Sequence, residues 1–307
     1  MAAPLPPLLH DRDFAPEIGA AVPVAPGLVR ITAPNAGPYS FTGTNSFLIG
    51  KEEIAVLDPG PDSGPHLAAL LRAIGGRRAV AIILTHTHRD HSDLVHRLAA
   101  VTKAPIWSGG PHRLSRPRRT FERNPTGRDS DFTLVPDRKL LDGEQFSVGG
   151  VTIEVIATPG HAANHLAFGL VDTPHLLSGD HVMGWSTTLV AVPDGSMRDY
   201  FRSLDKVAEL PYRTYHPGHG GPIADAPGYV RALKAHREGR NAQILDAVAA
   251  GADRVGALRQ AIYPLLKVPL AGAADMTIRA HLEYLAEQGK LRLTHGLLGL
   301  RIGPAQS

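Results

Sequence analysis

Residues 79 to 91 constrain the fold more than any other stretch. The apolar run Ala79-Val80-Ala81-Ile82-Ile83-Leu84 passes directly into Thr85-His86-Thr87-His88-Arg89-Asp90-His91. A β-branched run without alternation reads as a strand covered on both faces. Four side chains able to hold a metal follow it within six positions, so the strand delivers its C-terminal end into a site.

Composition narrows the chemistry of that site. The chain has 307 residues and no cysteine, so a metal site must be built from histidine and carboxylate, and no disulfide framework exists. With 43% hydrophobic and 20% charged residues it can bury one large core with a small appendage. The net charge of +3 permits an acidic substrate without arguing for nucleic acid. The opening MAAPLPPLLHDRDF has neither the basic segment nor the apolar segment of a signal peptide, and no later stretch approaches the roughly 18 apolar residues of a membrane span. A cytoplasmic protein without membrane attachment is expected, its oligomeric state left open.

Taken in order, residues 1 to 26 are rich in Pro and Ala and read as an extended arm. Strands are expected at Gly27 to Ala33, Thr44 to Ile49 and Glu53 to Asp58, the last placing Asp58 beside a turn as a cap or as a partner for a metal-binding histidine. Apolar positions 67, 70, 71 and 74 predict a helix over Ser63 to Ile74, and Asp90 to Ala100 predicts the next. Residues 112 to 128 carry six arginines against one glutamate, a solvated loop or a phosphate contact. A meander follows, with strand ends at His161 and Asp180, then an amphipathic helix over Ser196 to Leu210 and a strand ending before His219. Three helical stretches, Tyr229 to Ala250, Arg254 to Ile262 and Ala273 to Gln288, precede a hairpin over Leu291 to Ile302, the element order of a winged-helix module. The expected division is an arm over 1–26, a catalytic domain over 27–235 and a small domain over 236–307.

Four apolar runs thus end in a turn and then a ligand-type residue, and strand ends converge on one sheet edge. His86 and His88, two apart, suit one ion, with His161 completing the set; Asp90 and His91 suit a neighbouring ion with His219. Asp180, with two oxygens, is left to bridge. Nitrogen and oxygen ligation suits two Zn²⁺, with Fe or Mn as alternatives. Two ions about 3.5–4 Å apart would turn a shared water into hydroxide at neutral pH, which predicts hydrolysis, with Asp90 accepting a proton. His165, His181 and His216 are expected near the site; His112 is assigned no role.

The motifs THTHRDH, TPGH, SGD and HPGHG, in this order, resemble the metallo-β-lactamase fold of hydrolases. The resemblance implies an α/β chain forming an αββα sandwich, and the same assignment of ligands to two metals. A narrower match, through GTNSFLIG at 43 to 50, HRDHS at 88 to 92, GDHVMGWSTTLV at 179 to 190, YHPGHG at 215 to 220 and a tail with HREGRNAQIL and HLEYLAEQGKL, is similar to the β-lactamase-like protein 2 family. That implies a C-terminal winged-helix-like domain and, for some members, cleavage of single-stranded RNA. Ser92, Asp93 and Leu94 stand where relatives commonly have two glycines. The alternatives are a hydrolase of a small thioester, lactone or β-lactam, and a nucleic-acid-binding protein with a structural metal.

Overall fold

The computed structural model describes residues 8–266, 270–296 and 299–305. Two sheets lie face to face with helices on both outer surfaces. The first sheet runs in the order β1 (Val22–Ala25), β2 (Leu28–Thr32), β3 (Asn45–Ile49), β4 (Glu53–Leu57), β5 (Arg78–Ile83), β6 (Ile106–Ser108) and β7 (Arg138–Lys139). Its first four strands pair antiparallel, while β4 to β7 pair parallel. The second runs β12 (Thr214–Pro217), β11 (His175–Gly179), β10 (Leu166–Leu170), β9 (Val151–Ala157), β8 (Gln145–Val148), with β11 and β12 parallel.

The uninterrupted apolar character of β5 follows from this layering. Successive side chains of a strand point to opposite faces. Ala81 and Ile83 enter the core between the sheets with Leu57, Val155 and Phe168, while Ile82 and Leu84 pack outward against α1 (Gly64–Ile74) and α3 (Val95–Thr102). The outer face of the second sheet is covered by α4 (Met197–Ala208) and α5 (Ala226–Ala249), through Tyr200, Leu204, Val230 and Leu233.

Several expectations about elements change. The helix expected over Asp90 to Ala100 is two pieces, a single turn α2 (Arg89–Ser92) and then α3, because Asp93 and Leu94 redirect the chain and Leu94 hydrogen-bonds back to Gly60. The arm over 1–26 contains β1, which pairs with β2. The division at 235/236 falls inside α5, a continuous helix whose first half packs on the catalytic layers and whose second half enters a separate core with α6 (Val255–Ile262), α7 (Ala271–Glu287) and the hairpin β13 (Leu291–Gly296) to β14 (Gly299–Pro304). The hairpin tip at 297–298 lies outside the described residues.

Two buried histidines of this scaffold make stability pH-dependent. Burial, the main cause, lowers both His66 and His216 from the ordinary 6.5 to about 4. The unfolded chain binds these protons near pH 6.5 and the folded chain resists them until about pH 4. Their contribution to stability is therefore full above about pH 6.5 and falls as pH drops towards 4, by up to about 1.4 kcal/mol per pH unit per group. Melting temperatures between pH 7 and pH 4 are expected to decline accordingly; a flat profile would contradict the buried neutral state.

Candidate metal centre

All seven residues expected from spacing meet at one edge of the sandwich. His86 Nε2 lies 3.0 Å from His88 Nδ1, which lies 2.9 Å from His161 Nε2. Beside them, His91 Nε2 lies 3.3 Å from His219 Nε2, and Asp90 Oδ2 lies 3.2 Å from His219 Nε2. Asp180 stands between the groups, Oδ1 3.5 Å from His91 and Oδ2 3.4 Å from His219 and 3.7 Å from His161.

Outer hydrogen bonds decide which ring nitrogen faces inward. Asp58, at the end of β4, accepts from the Thr85 backbone N–H and hydroxyl, both at 2.8 Å, and from His91 Nδ1 at 2.9 Å. It is both the turn anchor and the histidine partner. With the Thr85 hydroxyl proton donated to Asp58, its oxygen accepts from His86 Nδ1 at 2.9 Å. His161 Nδ1 donates to Leu189 O at 2.7 Å, His219 Nδ1 to Gly43 O at 3.2 Å, and His88 Nε2 to Asp194 at 3.0 Å. Each outer bond occupies one ring nitrogen and turns the other inward, where it can bind a cation once it is deprotonated.

His88 Nδ1 lies within 3.0 Å of both other nitrogens of its group, and two more nitrogens lie beside carboxylates, so a proton or a metal cation must sit among them. Asp180 Oδ1 is also buried with no hydrogen-bond partner. The donor sets His86–His88–His161 and Asp90–His91–His219 each bring ligand atoms within 4.8 Å of one another, as does His86–His91–Asp180. These residues fit divalent metal. The electrostatics agree: burial, then His91, His88 and His161, hold His86 well below its usual value, and burial then His88 lower His161 to about 4. On the other side burial opposes charge on His219, but Asp180 and Asp90 outweigh it and raise its pKa to about 10. That half of the site attracts a cation.

The strand ends converge because their turns are unusually tight. Gly218, between β12 and His219, leaves no room for a side chain: a Cβ there would sit 2.6 Å from Asp180 Oδ1 and 2.7 Å from His91 Cε1. Gly218→Ala is expected to push these groups apart and cut activity at least about 100-fold, as a displacement near 1 Å can. Unchanged turnover would refute the contact.

The buried Asp194 was not apparent from sequence. It accepts from His88, from Thr126 Oγ1 at 2.7 Å and from Ser130 Oγ at 3.3 Å, while His112 Nε2 lies 3.2 Å from its other oxygen. Burial alone would raise its pKa, but His112 and His88 outweigh that and keep it ionised. His112 also meets Thr87 Oγ1 at 2.9 Å, so it bridges two elements of the site rather than being incidental. His165 meets the Asp180 backbone N–H at 3.1 Å and Thr158 Oγ1 at 2.8 Å, as expected of a neighbour. His181 is buried against Tyr200, and His216 is buried beside His175.

The family model described as Metallo-beta-lactamase superfamily matches residues 39–219, more than half of the chain and all seven clustered residues. The chain belongs to the metallo-beta-lactamase superfamily. It is therefore a hydrolase of that superfamily, with a His/Asp cluster for metal. Similar proteins include an atrochrysone carboxyl ACP thioesterase of Aspergillus fumigatus, 29% identical over 75% of this chain and 67% of that protein. A beta-lactamase-like protein 2 homolog of Caenorhabditis elegans is 29% identical over 71% of this chain and 70% of that one. Among solved structures, a metallo-beta-lactamase family protein from Thermus thermophilus superposes with a TM-score of 0.74 at 27% identity, covering 92% of this chain and all of that one. Among the described residues, no helix is long and apolar enough to cross a membrane.

Two arginines of the arginine-rich loop are paired with acids. Arg116 is paired with Glu122 at 2.6 Å and with Glu283 of α7 at 2.5 Å, and Arg119 also pairs with Glu283. Hydrogen bonds from Arg116, the main cause, lower Glu122 to about 2. These cations fasten the loop to the C-terminal elements.

Proposed function

We propose that this chain hydrolyses an acyl substrate, foremost a thioester, with two zinc ions held by His86, His88 and His161 on one side and Asp90, His91 and His219 on the other, Asp180 serving both. The observation that supports two ions is the pair of ligand-atom clusters joined by Asp180. When bound, such ions act as Lewis acids that lower the pKa of water and polarise a carbonyl. The chain's own residues do the rest. Asp58, Asp194, Leu189 and Gly43 hold the four imidazoles they touch in one tautomer, so no reorganisation accompanies the reaction. Asp90 is the member most open to solvent, its side chain 35% exposed, and is the carboxylate placed to accept a proton from the attacking water.

An acyl bond is preferred over a phosphodiester because Arg116 and Arg119 are neutralised by Glu122 and Glu283, and because a thioesterase is among the relatives that match three quarters of this chain. Cleavage of single-stranded RNA is the second reading. It is favoured by Arg123 and Arg279, which line a cleft of about 1190 Å³ between the loop and α7.

Parallel turnover on an N-acetylcysteamine thioester, a single-stranded RNA and a chromogenic β-lactam separates the readings, with Asp180→Asn as control. Thioester cleavage by wild type alone is expected. Cleavage of RNA by wild type without thioester turnover would move the assignment to phosphodiesters.

A further inference from the structure

Beside the metal centre the chain holds two buried cations that the chemistry above does not use. Arg237 and Arg240 lie one turn apart on α5, 3% and 8% exposed. Both line a cavity of about 200 Å³ walled also by Trp185, Leu189, Tyr263 and Thr277. Neither forms an ion pair among the described residues, and Glu238 and Asp275, acidic residues of α5 and α7, are turned to Lys234 and Arg259 instead. Arg237 gives one N–H to Thr188 O and sits 5.6 Å over the Tyr200 ring, but its Nε is buried with no hydrogen-bond partner. Arg240 stacks 4.2 Å over Tyr263 and meets Gln243 Oε1 at 2.5 Å. Trp185, which stacks on Phe41, has a buried indole N–H also without a partner.

Removing a charge from water without a counter-ion is costly, and an unmade buried hydrogen bond adds to the cost. The two guanidinium groups have no counter-ion there, Arg237 Nε and the Trp185 indole N–H on the same wall have no acceptor, and arginine is the residue whose planar fork matches carboxylate and phosphate. The cavity also adjoins the reaction site. Leu189 lines it and accepts His161 Nδ1 through its carbonyl, and Thr188, which accepts from Arg237, gives its hydroxyl to His181 O next to Asp180.

We infer that the Arg237–Arg240 cavity is an anion-recognition subsite, binding a carboxylate or phosphate borne on an apolar body, with the anion on the guanidinium groups and the body against Trp185 and Tyr263. That the anion belongs to the substrate rests on the hydrolase reading above. The binding itself does not.

The test reads binding without turnover. Trp107 and Trp185 are the two tryptophans of the chain, so Trp107→Phe leaves Trp185 as the sole reporter. Hexanoate, hexyl phosphate and hexanol are titrated into the full chain, as purified and after chelation of metal. A saturable change in Trp185 emission is expected for at least one anion, about tenfold tighter than for hexanol, and the same with and without metal. The two anions distinguish a carboxylate from a phosphate site. Arg240→Gln and Arg237→Gln are each expected to weaken anion binding about tenfold or more, with Arg240→Lys intermediate. Arg240 is at the cavity wall, and variants are compared only where circular dichroism and melting temperature match wild type. Equal binding of hexanol, no saturation by either anion, binding seen only with metal present, or anion binding unchanged in a folded Arg240→Gln would each overturn the subsite. Because no bond is cleaved, these outcomes are independent of whether thioester hydrolysis is found.

Discussion

Asp180→Asn is expected to lose at least about 100-fold in turnover and to bind its second metal equivalent more weakly. Outer partners of metal ligands already cost about 10 to 100-fold when removed, and Asp180 lies inside the cluster. Its two oxygens lie within 3.7 Å of His91, His161 and His219, and among the described residues it is the carboxylate in contact with both groups. The amide keeps size and shape but removes the charge that offsets two cations, and places an N–H where a lone pair is needed. The fold should persist, since the Asp180 backbone N–H is held by His165 whatever the side chain. Metal content by elemental analysis together with turnover checks this. Two tightly held ions and near wild-type turnover in Asp180→Asn would refute the shared role.

Asp194→Ala is expected to act on stability and on metal together. The carboxylate is fully buried and gathers His88, His112, Thr126 and Ser130, so its loss leaves His88 Nε2 without its acceptor and His112 without the charge beside it, while Thr126 and Ser130 keep Asn124 Oδ1 and the Thr126 carbonyl. Breaking a buried pair from one side costs about 3–5 kcal/mol. Metal affinity should fall about 10 to 100-fold because His88 is no longer held in its tautomer. Asp194→Asn, which retains an acceptor for Thr126 and Ser130, should recover more of the stability than of the affinity. Urea denaturation of chelated protein and calorimetric metal titration measure the two effects separately. Wild-type metal affinity in a folded Asp194→Ala would show that His88 is positioned otherwise.

The two residues differ in how they could be recognised. Asp180 ends an apolar strand and follows a glycine, the pattern shared by His161 and His219, so its convergence with Thr85–His91 could be read from the chain alone. Asp194 sits in a loop, Val-Pro-Asp-Gly, with no periodicity around it, and its partners come from 88, 112, 126 and 130. No local signal marks a residue whose partners are assembled by packing. The partners of Arg116 and Arg119 are hidden for the same reason. The loop reads as solvated or as a phosphate contact, yet Glu283 lies 167 residues from Arg116 and becomes its partner only when α7 folds against the loop.

Hydrophobic period and strand-end position are local properties of a chain, and they were enough to indicate the buried strands, the edge on which the site lies and the seven residues that meet there, while the sandwich followed from the resemblance of the motifs. Which nitrogen of each histidine faces inward, which arginines are neutralised and which are buried without a counter-ion were set by packing instead. Those depend on hydrogen bonds and ion pairs between residues far apart in sequence. Arg237 and Arg240 look like solvated residues of a polar helix until the packing of α5 against Trp185, Tyr200 and Tyr263 takes them out of water.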